Sequence, residues 1–192
     1  MTPLSRRRVL SAAASGAAVG LVGCLGDGAS ETTDDEAEDA GELGSPVEHV
    51  DVIVTSRPYP QFIPQIVHVE VGGTVTWSNE YGRHDVTSYH PDTHGPQRIP
   101  DDAEPWASDQ LRREGDSFER TFDLEGVYDY ADTRHVCTSH EVAGGIGRVV
   151  VGWPAPEGEV GLEDPQPALP GQARSGVERM NEETIPVLEA GP

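Results

Sequence analysis

The residues best suited to chemistry lie in one string, Cys137-Thr138-Ser139-His140-Glu141-Val142-Ala143-Gly144-Gly145-Ile146-Gly147, with Asn79-x4-His84 far upstream. A soft thiolate and two imidazoles gathered in one site select copper: thiolate stabilises Cu(I), imidazole accepts Cu(II), and a trigonal arrangement serves both. A site that matches neither oxidation state's preferred geometry reorganises little, which suits fast one-electron transfer. The chain has two cysteines, Cys24 and Cys137. With one of them in the folded part, a zinc site built on two or more thiolates is excluded, as are a four-cysteine iron–sulfur cluster and a copper pair bridged by two cysteines. A free Cys is commonly a buried inert thiol; a His three residues on argues for ligation instead. The Gly144-Gly145-Ile146-Gly147 cluster opens a strand, so it is no nucleotide-binding fingerprint.

The other titratable residues read more plainly. His49 and His68 fall on the polar faces of their strands and are expected in solvent. His90 and His94 belong to a surface excursion, where capping the site is the lesser reading. His135 shares a strand face with Cys137 in an extended chain and reads as a group beside the site or at the surface, with an extra ligand as the lesser reading. Asp85 and Glu141 flank His84 and His140 and are placed to tune them through hydrogen bonds.

Short alternating segments must position these groups. Val50, Val52 and Val54 alternate with other residues, as do Val67, Val69 and Val71, then Val75 and Trp77, then Phe118 and Phe122. Ile146 to Val151 is apolar almost throughout. Period-two alternation bounded by Gly, Pro, Asn and Asp marks strands joined by turns. About seven strands and no convincing amphipathic helix over residues 47–153 predict an all-β, Greek-key β-sandwich. Residues 90–116 read as a long surface excursion with one helical turn near Ser108–Arg113. Residues 154–192 form a Pro/Glu-rich tail; 171–183 has the composition of a short helix, while Pro186 predicts little fixed structure.

The segment from Phe62-Ile63-Pro64 through Trp77-Ser78-Asn79 resembles the second and third strands of the plastocyanin/halocyanin family. His84-Asp85-Val86-Thr87-Ser88 resembles that family's first copper-ligand strand. Gly115-Asp116-Ser117-Phe118, Thr121-Phe122 and Gly126-Val127-Tyr128-Asp129-Tyr130 are similar to the two strands before its ligand Cys. Cys137-x2-His140, then Gly-x-Gly and Val149-Val150-Val151, are similar to its ligand loop and closing strand. The resemblance covers residues 50–153 in family order and implies a cupredoxin fold with one type 1 copper held by His84, Cys137 and His140. Two departures stand out. The family's weak axial Met falls at Gly145, which has no side-chain ligand to offer; a three-coordinate copper, a backbone carbonyl of Gly144 or Gly145, and an entering water are the alternatives. The family also runs directly from Gly-x-Tyr-x-Tyr to x-Cys, whereas residues 131–135 intervene here.

The 192 residues carry 34 acidic side chains against 13 basic ones, a net charge of −21, and every basic residue is Arg. That balance excludes a nucleic-acid backbone as partner. Acids spread through strand-like segments as well as the tail fit a protein of a halophilic archaeon, whose salt screens self-repulsion. Residues 1–23 read as a leader: Ser5-Arg6-Arg7-Arg8-Val9-Leu10 resembles a twin-arginine export signal, and a mild apolar run too short for a permanent span follows. Leu21-Val22-Gly23-Cys24 is similar to a lipobox that lipidates Cys24. Residues 24–46 read as an acidic flexible linker. The expectation is an extracytoplasmic, monomeric electron carrier rather than an enzyme, tethered to the cell membrane and serving membrane redox proteins. A copper site whose open axial position binds a small molecule is the alternative, and a copper-free module the third.

Overall fold

Residue alternation is continued furthest by the long strand β3 (Ile66–Tyr81), and the rest of the fold is arranged around it. The computed structural model of the chain describes residues 41–134 and 139–192, all within one compact unit, Thr33–Pro192. The proposed leader, Cys24, His135 and Cys137 lie outside the described residues.

The other strands among the described residues are β1 (Val47–Thr55), β2 (Gln61–Ile63), β4 (Thr87–Ser88), β5 (Ser117–Phe122), β6 (Gly126–Ala131) and β7 (Ile146–Val151). They form one sheet in the order β2-β1-β3-β7-β6-β4, with β5 also pairing β3. The first part of β3 pairs in parallel with β7 from Ile66 to Val69, and its second part pairs antiparallel with β5 from Gly73 to Ser78. Between them β3 turns a corner. Val47 pairs with Val69 but His49 with Thr74, so the register against β1 jumps there. Gly72 takes a φ of +87°, a conformation glycine adopts without strain. Val71, expected to continue the inward alternation, stands exposed on this corner. Folding the sheet about β3 closes the predicted sandwich over one core: Val50, Val52 and Val54 of β1, Val75 and Trp77 of β3, Tyr128 and Tyr130 of β6, and Val149 and Val151 of β7.

β6 and β7 are buried on both faces, which explains the unbroken apolar run at Ile146–Val151. Their outer face is covered by the segment expected to hold little structure. After a 3-10 turn at Val160–Leu162, helix α1 (Gly171–Ala190) runs for 20 residues straight through Pro186. Proline inside a helix removes one hydrogen bond and crowds the preceding turn. Here the buried face Ala173, Val177, Met180, Thr184 and Leu188 repeats at helical spacing and holds the helix on, so packing overrides the local breaker. A charged clamp adds to it: Arg148 donates to Thr184 (3.1 Å) and Asn181 (2.8 Å) of α1 and to Asp129 (2.7 and 3.1 Å) of β6.

Two further expectations are corrected. Residues 90–116 contain no helical turn; they deliver Arg98, Ile99, Trp106 and Leu111 into buried positions. The linker is also ordered at its end, where Gly41 donates to the Ser45 carbonyl (2.9 Å) and accepts from the His68 amide (2.9 Å).

Candidate metal centre

His84 follows β3 and is held before its ring is placed. Asn79 donates from Nδ2 to the carbonyls of Gly82 (3.3 Å) and Arg113 (3.0 Å), which pins the turn leading out of β3. His84 then exchanges two backbone bonds with Leu111, 3.0 and 2.9 Å long. Gly82 has a φ of +115°, and a Cβ there would sit 2.6 Å from His84 Nε2, so only glycine leaves room for the ring.

His140 arrives from the far side of the same end of the sheet. Its amide donates to the Arg134 carbonyl (2.9 Å), and its own carbonyl accepts from Ala143 (3.0 Å) and Gly145 (2.9 Å). The two rings lie 5.1 Å apart, centroid to centroid. The fold brings these two rings together. Between them stands a residue that the sequence reading passed over. Asp132, the first residue after β6, places Oδ2 2.5 Å from His84 Nδ1 and 2.6 Å from His140 Nδ1.

The proton count at this point is informative. His84 Nε2 lies 2.9 Å from the Tyr81 carbonyl, which can only accept, so Nε2 carries the proton of a neutral ring. The Nδ1 lone pair of that neutral ring would then face a carboxylate oxygen. A proton or a metal cation must lie between them. Burial disfavours the charged His84 ring, but its bonds to Asp132 and Tyr81 outweigh that and raise its pKa above the usual imidazole value. Burial likewise pushes Asp132 up, but the bonds from His140 and His84 win and hold its carboxyl below the ordinary carboxylate range. His84, Asp132 and His140 are all buried, and their ligand atoms fall within 4.8 Å of one another. Two imidazole nitrogens and a carboxylate oxygen in one buried group are donors that a borderline metal such as copper accepts.

Gly145 lies beside this cluster. Its carbonyl accepts from the Asp132 amide (2.9 Å), and a Cβ on it would meet the His140 carbonyl oxygen at 3.1 Å and Asp132 Cβ at 3.5 Å. Asp85 does not touch the His84 ring; its carboxylate takes the Thr133 amide (2.7 Å) and hydroxyl (3.0 Å). Glu141 accepts from Tyr89 Oη (2.8 Å) and meets His94 Nε2 at 2.9 Å, which joins the excursion to the residue after His140. His94 is raised by this bond, against the opposing effect of burial. His49 is exposed as expected. His68 is not. It is fully buried, accepting from the Gly44 amide (3.0 Å) and donating to the Gly152 carbonyl (2.6 Å).

The signal for Asp132 was present in the sequence. In a chain that runs without interruption from Gly-x-Tyr-x-Tyr to x-Cys, Gly126-Val127-Tyr128-Asp129-Tyr130-Ala131 would place its Cys at residue 132.

A model of copper-binding proteins of the plastocyanin/azurin family matches residues 49–152. The halocyanin of Natronomonas pharaonis is 38% identical over 92 residues, a stretch covering 47% of this chain and 47% of that protein, so the chain spans about half the length of this curated relative. Among solved structures, a pseudoazurin from Sinorhizobium meliltoi superposes with a TM-score of 0.54 at 23% identity, covering 71% of this chain and 96% of its own. The pseudoazurin of Methylobacterium extorquens gives 0.51 at 18%, with 70% and 98% covered. At those identities the two structures speak to the fold alone. The family model spans more than half of the sequence, over the described strands and both converging histidines, and the chain belongs to the plastocyanin/azurin family of copper-binding proteins.

Proposed function

We propose that the chain is a one-copper electron carrier, with His84, Cys137 and His140 as ligands, exported and held at the outer face of the cell membrane by lipid on Cys24. Bound copper would supply a single electron on passing between Cu(I) and Cu(II). The observation that carries this reading is the pairing of two buried imidazoles, His84 and His140, whose Nδ1 atoms both meet Asp132 Oδ2 and whose ligand atoms fall within 4.8 Å of one another. The protein is expected to act on other redox proteins at the membrane surface, as a monomer of a halophilic cell. Cu(II) loading of the wild type should give an intense thiolate-to-copper band that Cys137→Ser abolishes. A wild type that binds Cu(II) without that band would sink the assignment of Cys137. For the tether, Cys24→Ala should release the protein from membranes, since anchoring by two chains is stable and by one is marginal.

One observation favours the second reading, a copper that meets small anions. A cavity of about 740 Å³ borders His140, and Arg83, Arg112 and Arg134 contribute to its walls. Glu80 and Glu114 line it as well, which leaves one more basic than acidic residue around the cavity. Azide or nitrite should perturb the copper spectrum under this reading, and leave it unchanged if the site only carries electrons.

A further inference from the structure

Asp132 is the buried group that the carrier reading leaves without a role. Its side chain is 2% exposed, and its ion-pair partners among the described residues are His84 and His140, with no Arg in reach. A carboxylate is rarely buried this deeply unless paired or bound to a metal. Its two oxygens are treated differently. Oδ1 is occupied by the amides of Arg134 (3.0 Å) and Asp85 (3.3 Å), whereas Oδ2 meets only the two imidazoles. The main chain is fixed as well, because the Asp132 amide donates to the Gly145 carbonyl and so extends the β6–β7 ladder by one residue. The carboxylate is therefore locked with Oδ2 between the two Nδ1 atoms, 2.5 Å from one and 2.6 Å from the other. That carboxylate stands at the position from which an uninterrupted strand would present its Cys.

We infer that Asp132 is itself a copper donor, giving one carboxylate oxygen to the metal beside His84 and His140. This inference rests on the carrier reading for its metal. Gly145 lies against this carboxylate, with a Cβ on it 3.5 Å from Asp132 Cβ. An anionic oxygen is a harder donor than a thioether and favours Cu(II) over Cu(I). The centre is accordingly biased toward the oxidised state, and its thiolate band should be weaker than that of a site with soft donors alone.

The test uses the full chain loaded with copper. Asp132→Asn keeps the shape and one hydrogen-bonding oxygen but removes the anionic donor. It should lower Cu(II) affinity about tenfold relative to Cu(I), which for a one-electron couple raises the potential by about 59 mV, and it should change the copper hyperfine splitting in EPR. An Asp132 that merely orients the histidines predicts otherwise: the lost charge would still raise the potential, but the donor set and hence the hyperfine splitting would stay as in the wild type, and that unchanged splitting overturns the inference. A second measurement needs no variant. Infrared difference spectra of wild-type protein labelled with 13C-aspartate should show a carboxylate stretch shifting on copper binding. No shift overturns the inference even if Asp132→Asn fails to fold. The two readings fail separately. A carboxylate shift without a thiolate band removes Cys137 and keeps Asp132; a full thiolate band with no aspartate response removes Asp132 and keeps the carrier. A chain that takes up no copper overturns both.

Discussion

Arg148 holds Asp129 through two nitrogens, Nε on Oδ1 at 2.7 Å and NH2 on Oδ2 at 3.1 Å, and neither side chain is exposed. Arg98 adds a third bond to the same carboxylate at 2.8 Å. Two guanidiniums around one carboxylate leave a buried positive charge, which the carbonyl of Gly161 and the side chains of Asn181, Thr184 and Gln166 solvate. Removing one partner of a buried pair strands the other charge, at a cost of about 3–5 kcal/mol. Asp129→Asn should therefore lower unfolding free energy by that amount in urea titrations. A loss below about 1 kcal/mol would show that the clamp is not part of the fold's stability.

Gly82 should tolerate no side chain. Gly82→Ala asks for a φ near +115° and puts a methyl carbon on the His84 ring. Backbone strain of this kind costs about 1–3 kcal/mol, and the displaced ring should weaken Cu(II) binding. Competition titrations that give wild-type affinity for this variant would show that His84 is not a ligand.

His68 predicts acid sensitivity. Burial lowers its pKa below the usual 6.5, with the Gly152 carbonyl opposing the shift. The unfolded chain thus binds this proton more readily than the folded one, and stability falls as pH drops through about 6.5 toward the lower folded value. His84 and His94 are shifted upward and act in the opposite sense. The difference between wild type and His68→Gln isolates the effect. The variant should be less stable at pH 7.5, and the gap should narrow at pH 5.5. A gap that is the same at both would rule out a neutral buried His68.

How much of this could be read from the sequence depended on where local pattern and packing agree. Val50, Val52, Val54, Val75 and Trp77 alternate and lie in the core as expected, because a half-buried strand imposes that period directly. His68 escaped the same rule. It sits on the face opposite Val67 and Val69, but the Gly41–Ser45 turn and Trp153 cover that face, and neither contact is local. Pro186 misled in the same way, since the packing that keeps α1 intact comes from β7 and Arg148. A donor motif marks His84 and His140 in the sequence, and the structure brings their rings within 5.1 Å. Asp132 was hidden by the more conspicuous Cys137 five residues on.

Gly145→Met tests the space beside the centre. A thioether there must compete with Asp132, whose Cβ lies 3.5 Å from the site of a new Cβ. Replacing an oxygen donor with a soft sulfur favours Cu(I), so the potential should rise and the thiolate band should intensify. An unchanged spectrum and potential would place residue 145 away from the metal.

Salt should stabilise the fold strongly. The sequence after residue 23 carries a net charge of −24, and screening tightens from roughly 10 Å at 0.1 M to roughly 3 Å at 1 M. Thermal midpoints should climb across that range. A flat profile would contradict adaptation to a saline environment.

The cover provided by α1 also has a consequence in time. As the chain is synthesised, the seven strands of the described residues emerge before the helix does, and for that interval Val127, Val150 and Ile146 face outward with Arg148 among them. The half-made domain therefore presents an apolar sheet face with a cation set in it, the kind of surface to which chaperones and sibling chains adhere. Docking of Met180, Val177 and Leu188 removes that surface in one step. A chain halted before α1 should therefore keep this apolar face bare whether or not its histidines have already met.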